Sequence, residues 1–130
     1  MDVKNPLGTL PRGSKIFIDA NIFLYSIFGH PTLKPQCKEF LLKIENEIYE
    51  SIVSSLSMTW RDYTDIKKYP IATLCIDENI MDMAVEISKK YGLLISDSVH
   101  VAVMNSNSII NIASNDADFE RVKGIKVWSP

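Results

Sequence analysis

Short apolar runs alternating with amphipathic stretches constrain this chain more than any other feature. Lys15-Ile16-Phe17-Ile18-Asp19, Ile52-Val53, Leu93-Leu94-Ile95, Ile109 to Ala113 and Ile125 to Trp128 read as five short strands. Between them, Cys37, Leu41, Ile44 and Ile48 recur at helical spacing, with Pro35 near the start, where a missing N–H does no harm. Ile80, Met83, Ala84, Ile87 and Tyr91 line one face of a second helix, capped by Asp77 and ended by Gly92. Further helices are predicted over Asn21 to Phe28, over Leu56 to about Ile66, and from Asp97 to about Asn105 behind a capping Ser96. Asp116 to Val122 reads as a short helical turn, while Lys67 to Ile76 resists assignment around the Tyr69-Pro70 break. Apolar strands alternating with helices make a parallel sheet covered on both faces. The expected fold is α/β: a single domain over residues 15–130, with a central, mostly parallel five-stranded sheet flanked by helices. Pro6, Gly8, Pro11 and Gly13 mark residues 1–14 as a flexible N-terminal arm.

Composition narrows the function classes. With 130 residues the chain fits one core, and a net charge of -2 excludes coating nucleic acid by bulk positive charge. A nucleic-acid enzyme that borrows positive charge from metal ions is compatible with that balance. Two cysteines, Cys37 and Cys75, make no disulfide framework, so both are expected to be small buried hydrophobes in a reducing, cytoplasmic setting. Met1 to Lys15 has no apolar leader core, and Ile16 to Phe28 is too short to span a bilayer, so no membrane association is expected.

The acids fall in a pattern. Asp19 closes the first strand, Asp97 opens the helix after the third predicted strand, and Asp116 with Asp118 follows the fourth. In an open parallel sheet the carboxyl ends of the strands lie along one edge, where sites form. Three or four carboxylates are thereby delivered to one crevice, the hard-oxygen set that magnesium or manganese takes. Taken singly, Asp97 also suits a helix N-terminus and Asp116 a turn. Asp19, flanked by Ile16, Phe17, Ile18, Ile22 and Phe23, would suffer desolvation without a partner. Asn21 either orients Asp19 or the first helix by hydrogen bonding or merely caps that helix, and Ser114 either holds a metal-bound water or Asp116 or is a plain turn hydroxyl. His30 sits in a Gly-His-Pro turn, and His100 reads as a partly buried structural histidine.

These residues resemble the PIN-domain nucleases, which include the VapC toxins of prokaryotic toxin–antitoxin pairs. Phe17 to Tyr25 resembles the family's first motif, a strand-end aspartate followed by a small residue and Asn. Asp97-Ser98-Val99-His100-Val101-Ala102 resembles its helix motif, and Ser114-Asn115-Asp116-Ala117-Asp118-Phe119 its closing motif. The resemblance runs from about Lys15 to Trp128 and implies a ribonuclease using Mg²⁺ or Mn²⁺, in which an activated water attacks a phosphodiester. It implies Asp19, Asp97 and Asp116 as metal ligands and Asp118 as an outer or substrate-side acid. It also implies an RNA substrate, an antitoxin partner and a homodimer.

The chain departs from that pattern at one place. The family usually carries a glutamate six residues after a serine at the second strand, and the count from Ser54 lands on Trp60. Asp62, nearby on the same helix, either substitutes through water or is a solvated acid beside Arg61. An active nuclease and a degenerate PIN domain that binds RNA or a protein without cutting are therefore both open. A haloacid-dehalogenase-like phosphatase would want an acid where Asn21 stands, and a two-component receiver domain a pair of early acids beside Asp19. Any RNA contact must come from a local patch drawn from Lys34, Lys38, Lys43, Arg61, Lys67, Lys68, Arg121 and Lys123, with Trp60 as a base-stacking or core residue.

Overall fold

A computed structural model describes residues 5–54, 64 and 66–130 of the chain. Within them, strand β1 is Lys15–Ile18, helix α1 Ala20–Leu24, α2 Lys34–Glu45, β2 Glu50–Ser54, β3 Ile71–Leu74, α3 Glu78–Tyr91, α4 Ile95–Ser106, β4 Asn111–Ala113 and β5 Lys126–Trp128. The five strands form one sheet in the order β3-β2-β1-β4-β5, and every neighbouring pair is parallel. Phe17 of β1 lies between Ile52 of β2 and Ile112 of β4. The chain runs outward from β1 through β2 to β3, then returns to place β4 on the other side of β1. That reversal opens a crevice at the carboxyl ends of β1 and β4.

Alternation along β1 divides the core. Ile16 and Ile18 pack with Ile22, Phe40, Leu41 and Ile44 on one face. Phe17 packs with Val99, Val103, Ile112 and Phe119 on the other. Each fully buried side chain of this kind contributes about 1.5–3 kcal/mol. The Asp77 side chain accepts from the Ile80 N–H at 2.9 Å to cap α3, and Gly92 ends that helix at φ 69°, a left-handed turn that costs glycine little.

The strands are not all where the sequence places them. Leu93-Leu94-Ile95 forms no strand: Gly92 turns the chain sharply, Leu94 is the residue before α4, and Ile95 is already helical. Leu94 is 71% exposed, so its apolar character does not report burial in the sheet. The third strand is Ile71–Leu74, in the stretch that resisted assignment; it lies at the sheet edge with its two middle residues exposed, so it lacks the apolar run of a central strand. Helix α4 starts at Ile95 without a side-chain cap, two residues before the predicted Asp97. The first helix gives way at Leu24 to a wider π-helical segment, Tyr25–Gly29.

Leu7 and Leu10 are buried against the core, and the Leu7 N–H donates to the Ser129 carbonyl at 2.8 Å. Cys37 is buried and its thiol pKa is pushed up to about 11 by burial, whereas Cys75 is exposed rather than buried. Among the described residues, no helix is long and apolar enough to cross a membrane. Most of the helix predicted over Leu56 to Ile66, with Trp60, Arg61 and Asp62, lies outside the described residues; Ile66 is buried in the core.

Candidate functional site

The end of β1 sets the first position. The Asp19 N–H pairs with the Ala113 carbonyl at 2.9 Å, extending the β1–β4 ladder by one residue before α1 begins. The Asp19 side chain is only 14% exposed, and its Oδ2 accepts from the Ser114 hydroxyl at 2.7 Å. Ser114, itself fully buried, also accepts from the Asp116 N–H at 3.0 Å and from the Asn21 amide at 3.4 Å. One hydroxyl thus joins the strand-end acid, the first helix and the turn after β4. Asn21 does not cap α1 with its side chain, and its Oδ1 is buried without a hydrogen-bond partner.

The turn after β4 carries the next two acids. Asp116 caps a short 3-10 turn, Ala117–Arg121, by accepting from the Asp118 N–H at 2.9 Å. That turn projects Asp116 and Asp118 towards the first turn of α4, where Asp97 sits. One carboxylate oxygen from each of Asp97, Asp116 and Asp118 lies within 4.8 Å of the others. Asp97 therefore reaches the crevice from the first turn of the helix expected to carry it, although Leu93-Leu94-Ile95 before that helix forms no strand. The Asp97 pKa is raised to about 6, first by burial and then by the charges of Asp116, Asp19 and Asp118. Asp19 is therefore electrostatically part of the cluster, with one of its oxygens held by Ser114.

Residues that composition and spacing alone left aside complete the surroundings. His100, one turn after Asp97, is 8% exposed, with Nδ1 3.3 Å from the Ser54 hydroxyl and Nε2 3.9 Å from Asp19 Oδ1. Burial lowers its pKa, against the pull of Asp19. Its position three residues beyond Asp97 was the available signal, because residues so spaced share a helix face. Arg121, one of the basic residues considered for RNA, instead donates from Nη2 to Asp118 Oδ1 at 2.9 Å and from Nη1 to the Gly92 carbonyl at 3.2 Å. Asn115 donates to the Tyr25 hydroxyl at 3.3 Å. Asp62 lies outside the described residues.

The donor set fits a divalent ion. Three converging carboxylates supply hard oxygen ligands, and the raised pKa of Asp97, set first by burial and then by its carboxylate neighbours, marks a site where a bound cation would offset like charge.

The family profile of the PIN domain matches residues 16–125. The chain belongs to the PIN domain family. Ribonuclease VapC2 of Methanocaldococcus jannaschii is 28% identical to it, over 88% of this chain and 93% of that protein. Among solved structures, a toxin–antitoxin complex from Klebsiella pneumoniae superposes with a TM-score of 0.61 at 17% identity, over 85% of this chain and 95% of that one. VapBC2 from Rickettsia felis, bound to a DNA fragment from its promoter, gives 0.60 at 15% identity, over 88% and 98%. At such identities these structures support the PIN fold alone.

Proposed function

We propose that this PIN domain is a divalent-metal-dependent ribonuclease and the toxin of a toxin–antitoxin pair. The observation that carries the reading is the convergence of Asp97, Asp116 and Asp118, from two segments of the chain, within 4.8 Å of one another. The likeness to a protein named a ribonuclease supports RNA as substrate, and the likeness to toxin–antitoxin complexes supports an antitoxin partner. A cytoplasmic homodimer completes the proposal.

In this reading Asp19, Asp97 and Asp116 hold Mg²⁺ or Mn²⁺, with Asp118 at the outer, substrate side. An ion held there supplies an activated water at neutral pH and offsets charge on the phosphodiester. The chain's own residues supply geometry. Ser114 fixes Asp19 and the Asp116 backbone in one frame, and Asn21 contacts the same hydroxyl. His100 stands beside Asp19 and is itself backed by two rings, Phe17 at 5.0 Å and Phe119 at 6.4 Å.

A PIN domain that binds RNA or protein without cutting is the second reading, favoured by Trp60 standing where the family pattern places a glutamate. Calorimetric titration with Mn²⁺, beside Asp97→Asn and with an RNA cleavage assay, separates the two. Binding that is lost or weakened by at least about tenfold in Asp97→Asn, with cleavage that requires the ion, is expected. Ion binding without cleavage supports the second reading, and no binding by the wild-type protein overturns the first.

A further inference from the structure

The acid cluster is assembled from segments with no direct connection. Asp97 sits in the first turn of α4, just past the corner at Gly92, whereas Asp116 and Asp118 sit in the turn after β4. Apolar packing brings the two segments together, since Leu93, Val99, Phe119 and Val122 share one core cluster. Such packing is non-directional and leaves the polar register of the carboxylates loose. The Arg121 side chain spans the seam. Its Nη2 donates to Asp118 Oδ1 at 2.9 Å and its Nη1 to the Gly92 carbonyl at 3.2 Å, so one planar fork is bonded to both sides. The corner it grips is otherwise fastened within itself: the Gly92 N–H donates to the Ser88 carbonyl at 2.9 Å, and the Ser88 hydroxyl to the Leu93 carbonyl at 2.7 Å.

We propose that Arg121 is a positioning residue for the metal centre, fixing the Asp118 carboxylate and tying the turn that carries Asp116 and Asp118 to the α3–α4 corner that leads to Asp97. The proposal rests on the reading of that cluster as a divalent-metal site. Arg121 is half exposed, at 53%, and its partner Asp118 at 47%. Its ion pair therefore contributes little to overall stability, and the effect of removing it concentrates on the site.

The test is a Mn²⁺ titration of the wild-type protein, Arg121→Gln and Arg121→Lys, each with its melting temperature and its affinity for a single-stranded RNA. Arg121→Gln is expected to weaken Mn²⁺ about tenfold, with little change in melting temperature. Arg121→Lys keeps the charge beside Asp118 but has one nitrogen for two separated acceptors, so its Mn²⁺ affinity stays below wild type. If Arg121→Gln folds poorly, Arg121→Lys decides alone. Unchanged affinity, or full recovery in Arg121→Lys, overturns the proposal, because charge or nothing at all would then suffice. Tighter Mn²⁺ binding overturns it by making the guanidinium a competitor of the ion. A loss confined to RNA affinity overturns it in favour of a phosphate contact. Wild-type protein that binds no Mn²⁺ removes the metal reading itself, whereas wild-type binding with indifferent variants removes this proposal alone.

Discussion

Ser114 has a larger part at the site than its small side chain suggests. Its hydroxyl, on a residue that is fully buried, donates to Asp19 and accepts from the Asp116 N–H and the Asn21 amide. Removing it leaves a part-buried carboxylate oxygen and a part-buried N–H without this partner, and each stranded group costs about 1–3 kcal/mol when fully buried. Ser114→Ala is therefore expected to destabilise the protein by about 2–4 kcal/mol in urea unfolding and to weaken Mn²⁺ binding as Asp19 loses its fixed rotamer. Composition and spacing left two jobs open for this hydroxyl, and the fold gives it both the Asp116 backbone and Asp19. Which acceptors meet a buried hydroxyl depends on residues 95 positions apart, Asp19 and Ser114, and no local pattern encodes that pairing.

Among the elements, α3 and α4 differ in how openly they announce themselves. Helix α3 has a side-chain cap at Asp77, basic Lys89 and Lys90 in its last turn, and a left-handed Gly92 at its end. All three signals are local, so its limits follow from the sequence. Asp77→Ala should cost about 1 kcal/mol in thermal or urea unfolding while leaving Mn²⁺ affinity unchanged, because the cap is remote from the acids. Helix α4 has no capping side chain, and Leu94 just before it and Ile95 at its start are apolar yet exposed. Local pattern therefore assigned them to a strand. The same ambiguity hid β3, whose edge position removes the continuous apolar run that marks β1 and β4.

At the scale of the whole molecule, burial and like charge together make the cluster sensitive to pH. Asp97 has a folded-state pKa of about 6 against an ordinary 3.8, so between those values the folded chain holds a proton that the unfolded chain has lost. Stability of the metal-free protein should therefore fall as pH rises from about 4 to about 6. Melting curves in chelator should show that decline, and Asp97→Asn should flatten it. Added Mn²⁺ should raise the melting temperature more at pH 7.5 than at pH 5. Much of this molecule was legible in its amino-acid order, for a physical reason: strand hydrophobicity, helix periodicity and caps act over a few residues, and they specify an α/β sheet with Asp19 at a strand end and Asp116 in the turn after another. Tertiary structure decided the rest. It placed β3 on the edge, packed α4 so that Asp97 meets Asp116 and Asp118, set His100 beside Asp19, and turned Arg121 from a surface charge into a link between two segments. Those outcomes depend on how helices seat on the sheet, a balance of non-directional packing and buried hydrogen bonds summed over the whole chain.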